Sequence, residues 1–184
     1  MTKAFGRRLV TACLMIGIAG GTMNLVAQTK EPLKLVPVLD AERYLGRWYE
    51  IARYQHRFEK KLVGVTAEYA LRPDGRISVV NSGFKGALDG KYTEARAVAW
   101  IPDPAVPAAL KVRFFHLFAG DYMVFGLDAV NYQWALVGDN SGKYLWFLAR
   151  TPEISDELYG QMKEAAVAQG YSLAGLYKVP QKAR

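Results

Sequence analysis

The sequence predicts an all-β protein: an eight-stranded antiparallel up-and-down β-barrel with one C-terminal α-helix packed outside. Eight short segments between residues 44 and 150 alternate apolar and polar residues, and turn-forming residues separate them. Strands joined in this way pair as hairpins, and closing the sheet into a barrel removes its exposed edges. A single helical pattern follows Pro152.

The first strand is predicted over residues 44–54. Gly46 permits a tight turn because it lacks a Cβ atom. Trp48, two residues later, has enough apolar area to plug the end of a core, and its indole N–H needs a hydrogen-bond partner. Before this strand, Asp40 is placed to cap a short helical turn. We expect that turn to close one end of the barrel.

The remaining strands follow at short intervals. Residues 73–75 (Pro-Asp-Gly) predict a turn, and residues 139–142 (Asp-Asn-Ser-Gly) join the last pair of strands. Residues 92–101 carry alanines on one face, which leaves room inside a barrel. The predicted strands after the first are 65–72, 77–81, 92–101, 110–114, 122–128, 132–138 and 143–150.

A helix is predicted after Pro152, with Ser155 as its N-cap and Gly170 beyond its end. Four apolar residues recur on one helical face, a stripe that is far more often a docking face than a ligand site. We therefore expect the helix to pack on the barrel wall, with a last strand along the outside at residues 173–179. The stripe comprises Leu158, Met162, Ala165 and Ala166.

Composition excludes several classes of protein. The chain has 184 residues, 51% hydrophobic and 22% charged, which suits one globular domain. Its formal charge of +7 falls to +4 (7 − 3) without Lys3, Arg7 and Arg8, and the other cations are scattered among acids. We expect no nucleic-acid binding, although a mild preference for a membrane surface stays open. The histidines, His56 and His116, are expected in loops or at the surface, and neither a metal nor a cofactor is predicted.

The N-terminal residues 1–27 are predicted to be a signal segment, with basic residues, an apolar run and then small residues. Spanning a membrane takes roughly 20 apolar residues, more than this run offers. Residues 28–38 are a leader, and residues 39–184 form the folded domain. Cys13 is the single cysteine, which excludes an internal disulfide. Residues 10–13 fit a lipid-attachment motif, but the apolar run continues past Cys13, so a discarded cysteine is favoured over a lipidated one.

Three segments carry a family resemblance. Residues 44–53 read YLGRWYEIAR, residues 56–59 read HRFE, and residues 144–152 read YLWFLARTP. In order and spacing they resemble the lipocalins, most nearly the bacterial lipocalin group that is also similar to apolipoprotein D. The match runs from about residue 38 to residue 180. The resemblance implies a calyx, a barrel that encloses one small ligand.

The resemblance also gives four residues structural roles. Trp48, preceded by Gly46, would plug the barrel, and Arg150 would lie over the indole as a cation on an aromatic face. Asp128 stands where lipocalins usually carry a Thr-Asp-Tyr-like segment, and only the aspartate is kept here. We therefore expect its loop to be turned differently or held by other contacts.

The inward face of the calyx follows from Trp48 and Arg150, because neighbours along a strand alternate faces. The resemblance supplies the inward sets of the other strands, which include Leu71. The resulting wall is aliphatic and aromatic with few polar atoms, and it favours apolar chains over sugars or nucleotides. The predicted ligand-binding residues are Ala67, Tyr69, Ile77, Val79, Asn81, Ala97, Ala99, Val112, Phe114, Phe125, Val137, Tyr144 and Trp146.

The predicted function is binding, storage or transport of a small hydrophobic ligand, such as a fatty acid or lysophospholipid, for envelope lipid maintenance. For a bacterial member, the signal segment predicts secretion across the inner membrane to the periplasm or outer membrane. No enzyme is predicted, because no nucleophile elbow, metal set or phosphate loop occurs. Two alternatives stay open: a lipocalin-fold isomerase or hydrolase on a hydrophobic substrate, and a structural envelope protein. A monomer and a homodimer both stay open.

Overall fold

The strands close into a barrel. A computed structural model describes residues 31–114 and 119–182. Eight antiparallel strands follow one another, and the eighth pairs with the first, so the predicted closed barrel with its outer helix is confirmed. The elements are α1 (Ala41–Tyr44), β1 (Gly46–Tyr54), β2 (Leu62–Leu71), β3 (Ile77–Lys85), β4 (Tyr92–Trp100), β5 (Ala109–Phe114), β6 (Ala119–Leu127), β7 (Trp134–Gly138), β8 (Leu145–Ala149), α2 (Asp156–Ala168), a 3₁₀ turn (Leu173–Gly175) and β9 (Leu176–Lys178).

Alternation along the strands produces two hydrophobic clusters. Trp48 and Leu148 belong to the inner cluster, inside the barrel. Phe147, next to Leu148, belongs to the outer cluster, where the wall meets α2. Because successive side chains point to opposite faces, β1, β6, β7 and β8 contribute to both clusters, whereas β2 to β5 contribute to the inner cluster.

The helix α2 packs on this wall through the predicted stripe. The Ser155 side chain accepts a hydrogen bond from the Leu158 N–H at 3.2 Å and caps the first turn. Met162 and Ala166 are fully buried in the outer cluster. Beyond the helix, Gly170 has φ +80°, a left-handed conformation that glycine adopts without strain.

The C-terminal segment fills a gap between β1 and β2. β9 pairs with the last residues of β1, and the Gly64 N–H donates to the Pro180 carbonyl at 2.7 Å. The Gln181 side chain donates to the carbonyls of Glu50 and Val65 at 2.7 and 3.0 Å. The predicted last strand is therefore shorter than expected and forms part of the barrel seam.

Some predicted boundaries move. β7 begins at Trp134, because Tyr132 has φ +56°, a left-handed conformation outside the β region that a non-glycine residue rarely adopts in a strand. β2 begins at Leu62, three residues before the predicted start. Leu71, predicted to point inward, is 59% exposed, since it is the last residue of β2 and lies beyond the core.

The signal segment, Cys13 and His116 lie outside the described residues. In the ranges that are described, the helices are too short or too polar to cross a membrane.

Candidate ligand-binding cavity

One end of the barrel, the closed end, is formed around Trp48. Its side chain is fully buried, and its indole N–H donates to the Tyr44 carbonyl at 2.8 Å. The Tyr44 ring from α1 packs on the indole with ring centroids 4.9 Å apart. Gly46, where the chain passes from α1 into β1, adopts a φ of +87°. The short helix and the glycine together hold the tryptophan in place.

Arg150 covers the outer face of that plug. Its guanidinium carbon lies 3.8 Å from the centroid of a Trp48 ring. The same guanidinium donates to three carbonyls, those of Arg43 at 2.7 Å, Arg47 at 2.8 Å and Tyr132 at 3.2 Å. A cation–π contact and three hydrogen bonds thus join β8 to the chain around α1 and β1.

Three tyrosine hydroxyls link α1, β2 and β6 inside the barrel. The Tyr122 hydroxyl lies 2.8 Å from that of Tyr44 and 2.9 Å from that of Tyr69. Burial raises the pKa of all three phenols, so the hydroxyls stay neutral. Tyr69 and Tyr122 also line the cavity described next.

The inner cavity has a volume of about 240 Å³ and lies within the barrel. Its wall is mainly aliphatic and aromatic, with carboxylates and phenols at intervals. The lining residues are Glu50, Phe58, Glu59, Val65, Ala67, Tyr69, Val79, Asn81, Val112, Phe114, Gly120, Asp121, Tyr122, Asp139, Tyr144, Trp146 and Leu148.

An outer compartment of about 870 Å³ adjoins the inner cavity. Unlike the inner cavity, it has lysines in its lining: Lys60, Lys61 and Lys85. A ligand that fills both compartments would contact the mainly apolar wall in the inner cavity and the lysines in the outer compartment. The two compartments share Phe58, Glu59, Val65, Asn81 and Phe114.

A buried ionic cluster lies beside the inner cavity. Arg53 is fully buried; it forms an ion pair with Glu50 and donates to the carbonyls of Glu59 and Leu62 at 2.7 and 3.0 Å. The Glu59 carboxylate accepts from the Trp146 indole N–H at 3.2 Å. Burial raises the pKa of both Glu50 and Glu59.

His56 packs against this cluster. Its side chain is only 8% exposed, and its ring stacks on Phe58 with centroids 4.2 Å apart. Its Nε2 lies 3.5 Å from Glu59 Oε2, and neither ring nitrogen has a hydrogen-bond partner among the described residues. Burial, aided by the charge of Arg53, lowers the pKa of His56 to about 4. The imidazole is therefore neutral near pH 7.

Comparisons with known proteins show the family of this chain. A family model described as Lipocalin-like domain matches residues 39–181. The chain is a lipocalin. It is 48% identical over 172 residues to the outer membrane lipoprotein Blc of Citrobacter freundii, covering 91% of this chain and 96% of that one.

Two further comparisons agree. The outer membrane lipoprotein Blc of Escherichia coli (strain K12) is 44% identical over 142 residues, which cover 77% of this lipocalin and 79% of that protein. The solved structure of insecticyanin from the tobacco hornworm Manduca sexta superposes with a TM-score of 0.66 at 15% identity, covering 83% and 86% of the two chains. The last of these shows a common fold alone.

Of the residues predicted to bind ligand, the structure brings eight together in the inner cavity of this lipocalin. Four more face the same interior but lie in the inner hydrophobic cluster rather than in the cavity wall: Ile77, Ala97, Ala99 and Val137. The eight lining residues are Ala67, Tyr69, Val79, Asn81, Val112, Phe114, Tyr144 and Trp146.

Phe125 lies on the opposite face of the wall. It belongs to the outer cluster and stacks on Tyr171 with centroids 5.3 Å apart. The pairing of β6 with β7 shifts register between Val124 and Gly126. This bulge adds one residue, so counting back by twos from Leu127, which packs on the inner cluster, gives the wrong face for Phe125.

Sequence reasoning missed the buried carboxylates and treated His56 as a loop or surface residue. Glu50 follows Trp48 by two residues, so alternation was a usable signal that it faces inward. Glu59 and His56 belong to the loop after β1, where no periodicity applies. They are buried because that loop folds over the barrel interior. The prediction of a cavity wall with few polar atoms was therefore wrong, since carboxylates contribute to it.

Asp128 organises the loop between β6 and β7. Its carboxylate accepts hydrogen bonds from the N–H groups of Val130, Asn131 and Gln133 at 3.1, 3.0 and 3.3 Å. Partial desolvation acts in the opposite direction, but these donors lower the pKa of Asp128 overall. Asp128 lies outside the linings of both compartments and holds the turn that Tyr132 enters.

The arrangement is suited to binding. No three His, Cys, Asp or Glu side chains come together as a metal site within residues 31–114 and 119–182. The cavity offers apolar contact, aromatic faces and a few buried hydrogen-bond acceptors.

Proposed function

We propose that this lipocalin binds, stores or carries a single-chain hydrophobic ligand, such as a fatty acid or lysophospholipid, with its chain in the inner cavity. The observation that carries the proposal is the apolar wall of that cavity, which continues into a compartment with lysines. Each buried CH₂ group contributes about 0.8 kcal/mol, so a long chain gains affinity without specific polar contacts. Lys60, Lys61 and Lys85 support placing a phosphate or carboxylate in the outer compartment.

The role is proposed to be binding rather than catalysis, in the cell envelope. The two Blc relatives named above are outer membrane lipoproteins, and residues 1–27 have the composition of a signal segment. Cell fractionation with N-terminal sequencing tests the location. A cytosolic species that retains Met1 would contradict it, and a lipid-modified Cys13 would replace secretion of a soluble chain with an anchored form.

Filling the inner cavity tests the binding site. Ala67 on β2 lines it, and Ala70 on the same strand is exposed on the other side of the wall. We expect Ala67→Trp to weaken binding of a twelve-carbon ligand on the order of tenfold, because the indole displaces several CH₂ groups. Ala70→Trp should bind as the wild type does, as measured by titration calorimetry. Equal affinity in all three proteins would place the ligand outside the inner cavity.

A further inference from the structure

The lining of the inner cavity is unbalanced in charge. Four carboxylate side chains contribute to it, and no lysine, arginine or histidine does among the described residues. Two of the four are satisfied locally. Asp121 pairs with Lys111 at 2.5 Å, and Asp139 accepts from the Tyr144 N–H at 3.0 Å and from Ser141. The other two are Glu50 and Glu59, in the buried ionic cluster.

That cluster contains one cation for two carboxylates. Arg53 forms its ion pair with Glu50, and His56 is neutral, so an ionised Glu59 lacks a cationic partner within the cluster. An uncompensated buried charge is costly. The cluster can be balanced either by a proton on a carboxyl group or by a cation that enters the cavity.

Unpartnered buried polar atoms stand beside Glu59. The His56 ring is more than nine-tenths buried and presents Nε2 to the Glu59 carboxylate, with no hydrogen bond made by either nitrogen among the described residues. Asn81 Oδ1 is also buried without a partner, and Asn81 lines the same two compartments as Glu59. Buried polar atoms in native structures nearly always have partners, and Asn81 Oδ1 is an acceptor that has no donor among the described residues.

Aromatic faces surround the same place. The rings of Tyr144 and Trp146 are stacked, with centroids 5.7 Å apart and planes 5° apart, and both line the inner cavity. The His56 ring lies 5.1 Å from Trp146, and Phe58 completes the group. Cations are attracted to the faces of Trp, Tyr and Phe rings. A carboxylate within an aromatic enclosure therefore suits a positively charged nitrogen.

We propose that Glu59, with the aromatic enclosure around it, binds the ammonium group of an amine carried on an alkyl chain. This inference rests on the proposed function, because the alkyl chain occupies the apolar inner cavity. The ammonium nitrogen donates hydrogen bonds to Glu59 and to Asn81 Oδ1, which an anionic head group cannot do. The ligand then supplies the charge that the buried cluster lacks.

Three ligands with one chain length test the ammonium site: dodecylamine, dodecanol and dodecanoate, each titrated into the purified protein below its aggregation concentration at pH 7. We expect the wild type to bind dodecylamine about tenfold more tightly than dodecanol, because the ammonium group alone pairs with Glu59, while dodecanoate reports on the lysines of the outer compartment. The formal charge of the chain, +7, attracts the carboxylate instead, so a preference for the amine reports on the local site.

Glu59→Gln should remove the preference, so that dodecylamine and dodecanol bind this variant with similar affinity. Glu68→Gln is the matched control, since Glu68 pairs with Arg47 on the surface with 54% of its side chain exposed. Loss of the preference in Glu59→Gln alone supports the site. Should Glu59→Gln fail to fold, the comparison of dodecylamine with dodecanol on the wild type decides.

A preference for dodecylamine over dodecanol that survives in Glu59→Gln would overturn the ammonium site. If dodecanol binds in the inner cavity and the amine binds no more tightly, the ammonium site fails while the proposed function stands. If none of the three binds, the proposed function fails with it.

Discussion

The closed end and the cavity end of this barrel differ in whether their buried polar groups have hydrogen-bond partners. At the closed end, the Trp48 N–H and the Arg150 guanidinium donate to four carbonyls in all. At the cavity end lie the buried side-chain atoms that lack a partner in the described part of the chain: Arg53 Nε, both nitrogens of His56 and Asn81 Oδ1.

This difference separates stability from binding. Satisfied polar groups around a fully buried indole hold one end of the barrel rigid. Unsatisfied groups at the other end cost free energy in the empty protein, and a ligand that pairs with them recovers part of that cost. We therefore expect substitutions at the closed end to change stability, and substitutions at the cavity end to change ligand affinity.

The largest expected effect is the loss of stability when a tryptophan is replaced by alanine, and this loss should differ between the two ends. Trp48→Ala should lower the free energy of unfolding by about 3–5 kcal/mol, because it removes a fully buried indole and leaves a void. Trp146→Ala should cost less, since its ring already borders the open cavity. Urea denaturation of both variants measures this, and equal losses would contradict the distinction between the ends.

A double-mutant cycle measures how strongly Trp48 and Arg150 are coupled at the closed end. The guanidinium of Arg150 lies 3.8 Å from the Trp48 ring centroid, a contact worth about 0.5–2 kcal/mol. The losses in Trp48→Ala and Arg150→Ala should therefore be non-additive by roughly that amount. Additive losses would show that Arg150 acts through its three carbonyls alone.

The two ends also differ in how far sequence predicts them. Gly46, Trp48 and Arg150 sit in regular strand positions or beside them, so alternation and a family likeness suffice to place them. Alternation also predicts an inward-facing Ala67 and Trp146, and it fails for Phe125, where a bulge adds a residue. The cavity end depends on His56 and Glu59, which reach the interior through a loop, and no local pattern in the sequence reports such a tertiary fold-back.

His56 gives the cavity end a pH dependence. Its pKa is lowered to about 4 by burial and by Arg53, so below pH 6.5 the unfolded chain takes up a proton that the folded chain does not. This histidine therefore makes the fold less stable as the pH falls from 6.5 to 4. The groups that face it are Arg53 and Glu59, with Tyr144 and Trp146 from the side of β8.

His56→Gln should remove that contribution. Relative to wild type, we expect the variant to gain on the order of 1–2 kcal/mol of stability between pH 6.5 and pH 4, less than the full shift would give because the loop is partly solvated. Glu50 and Glu59 have raised pKa values and act in the opposite direction, but they are present in both proteins, as is His116. Parallel stability curves for the two proteins would show that His56 is not buried in its neutral form.

The smallest expected effect is a rise in the free energy of unfolding. Asn81→Leu replaces a buried acceptor without a partner by an apolar side chain of similar size, so the free energy of unfolding should rise by about 1 kcal/mol while dodecylamine binds less tightly. Ser82→Ala is the control on the adjacent residue, because the Ser82 hydroxyl already has a partner in Thr66 at 3.0 Å and its loss should not stabilise the fold. A less stable Asn81→Leu protein with unchanged ligand affinity would mean that Asn81 serves the fold, and the division between the two ends would not hold at this position.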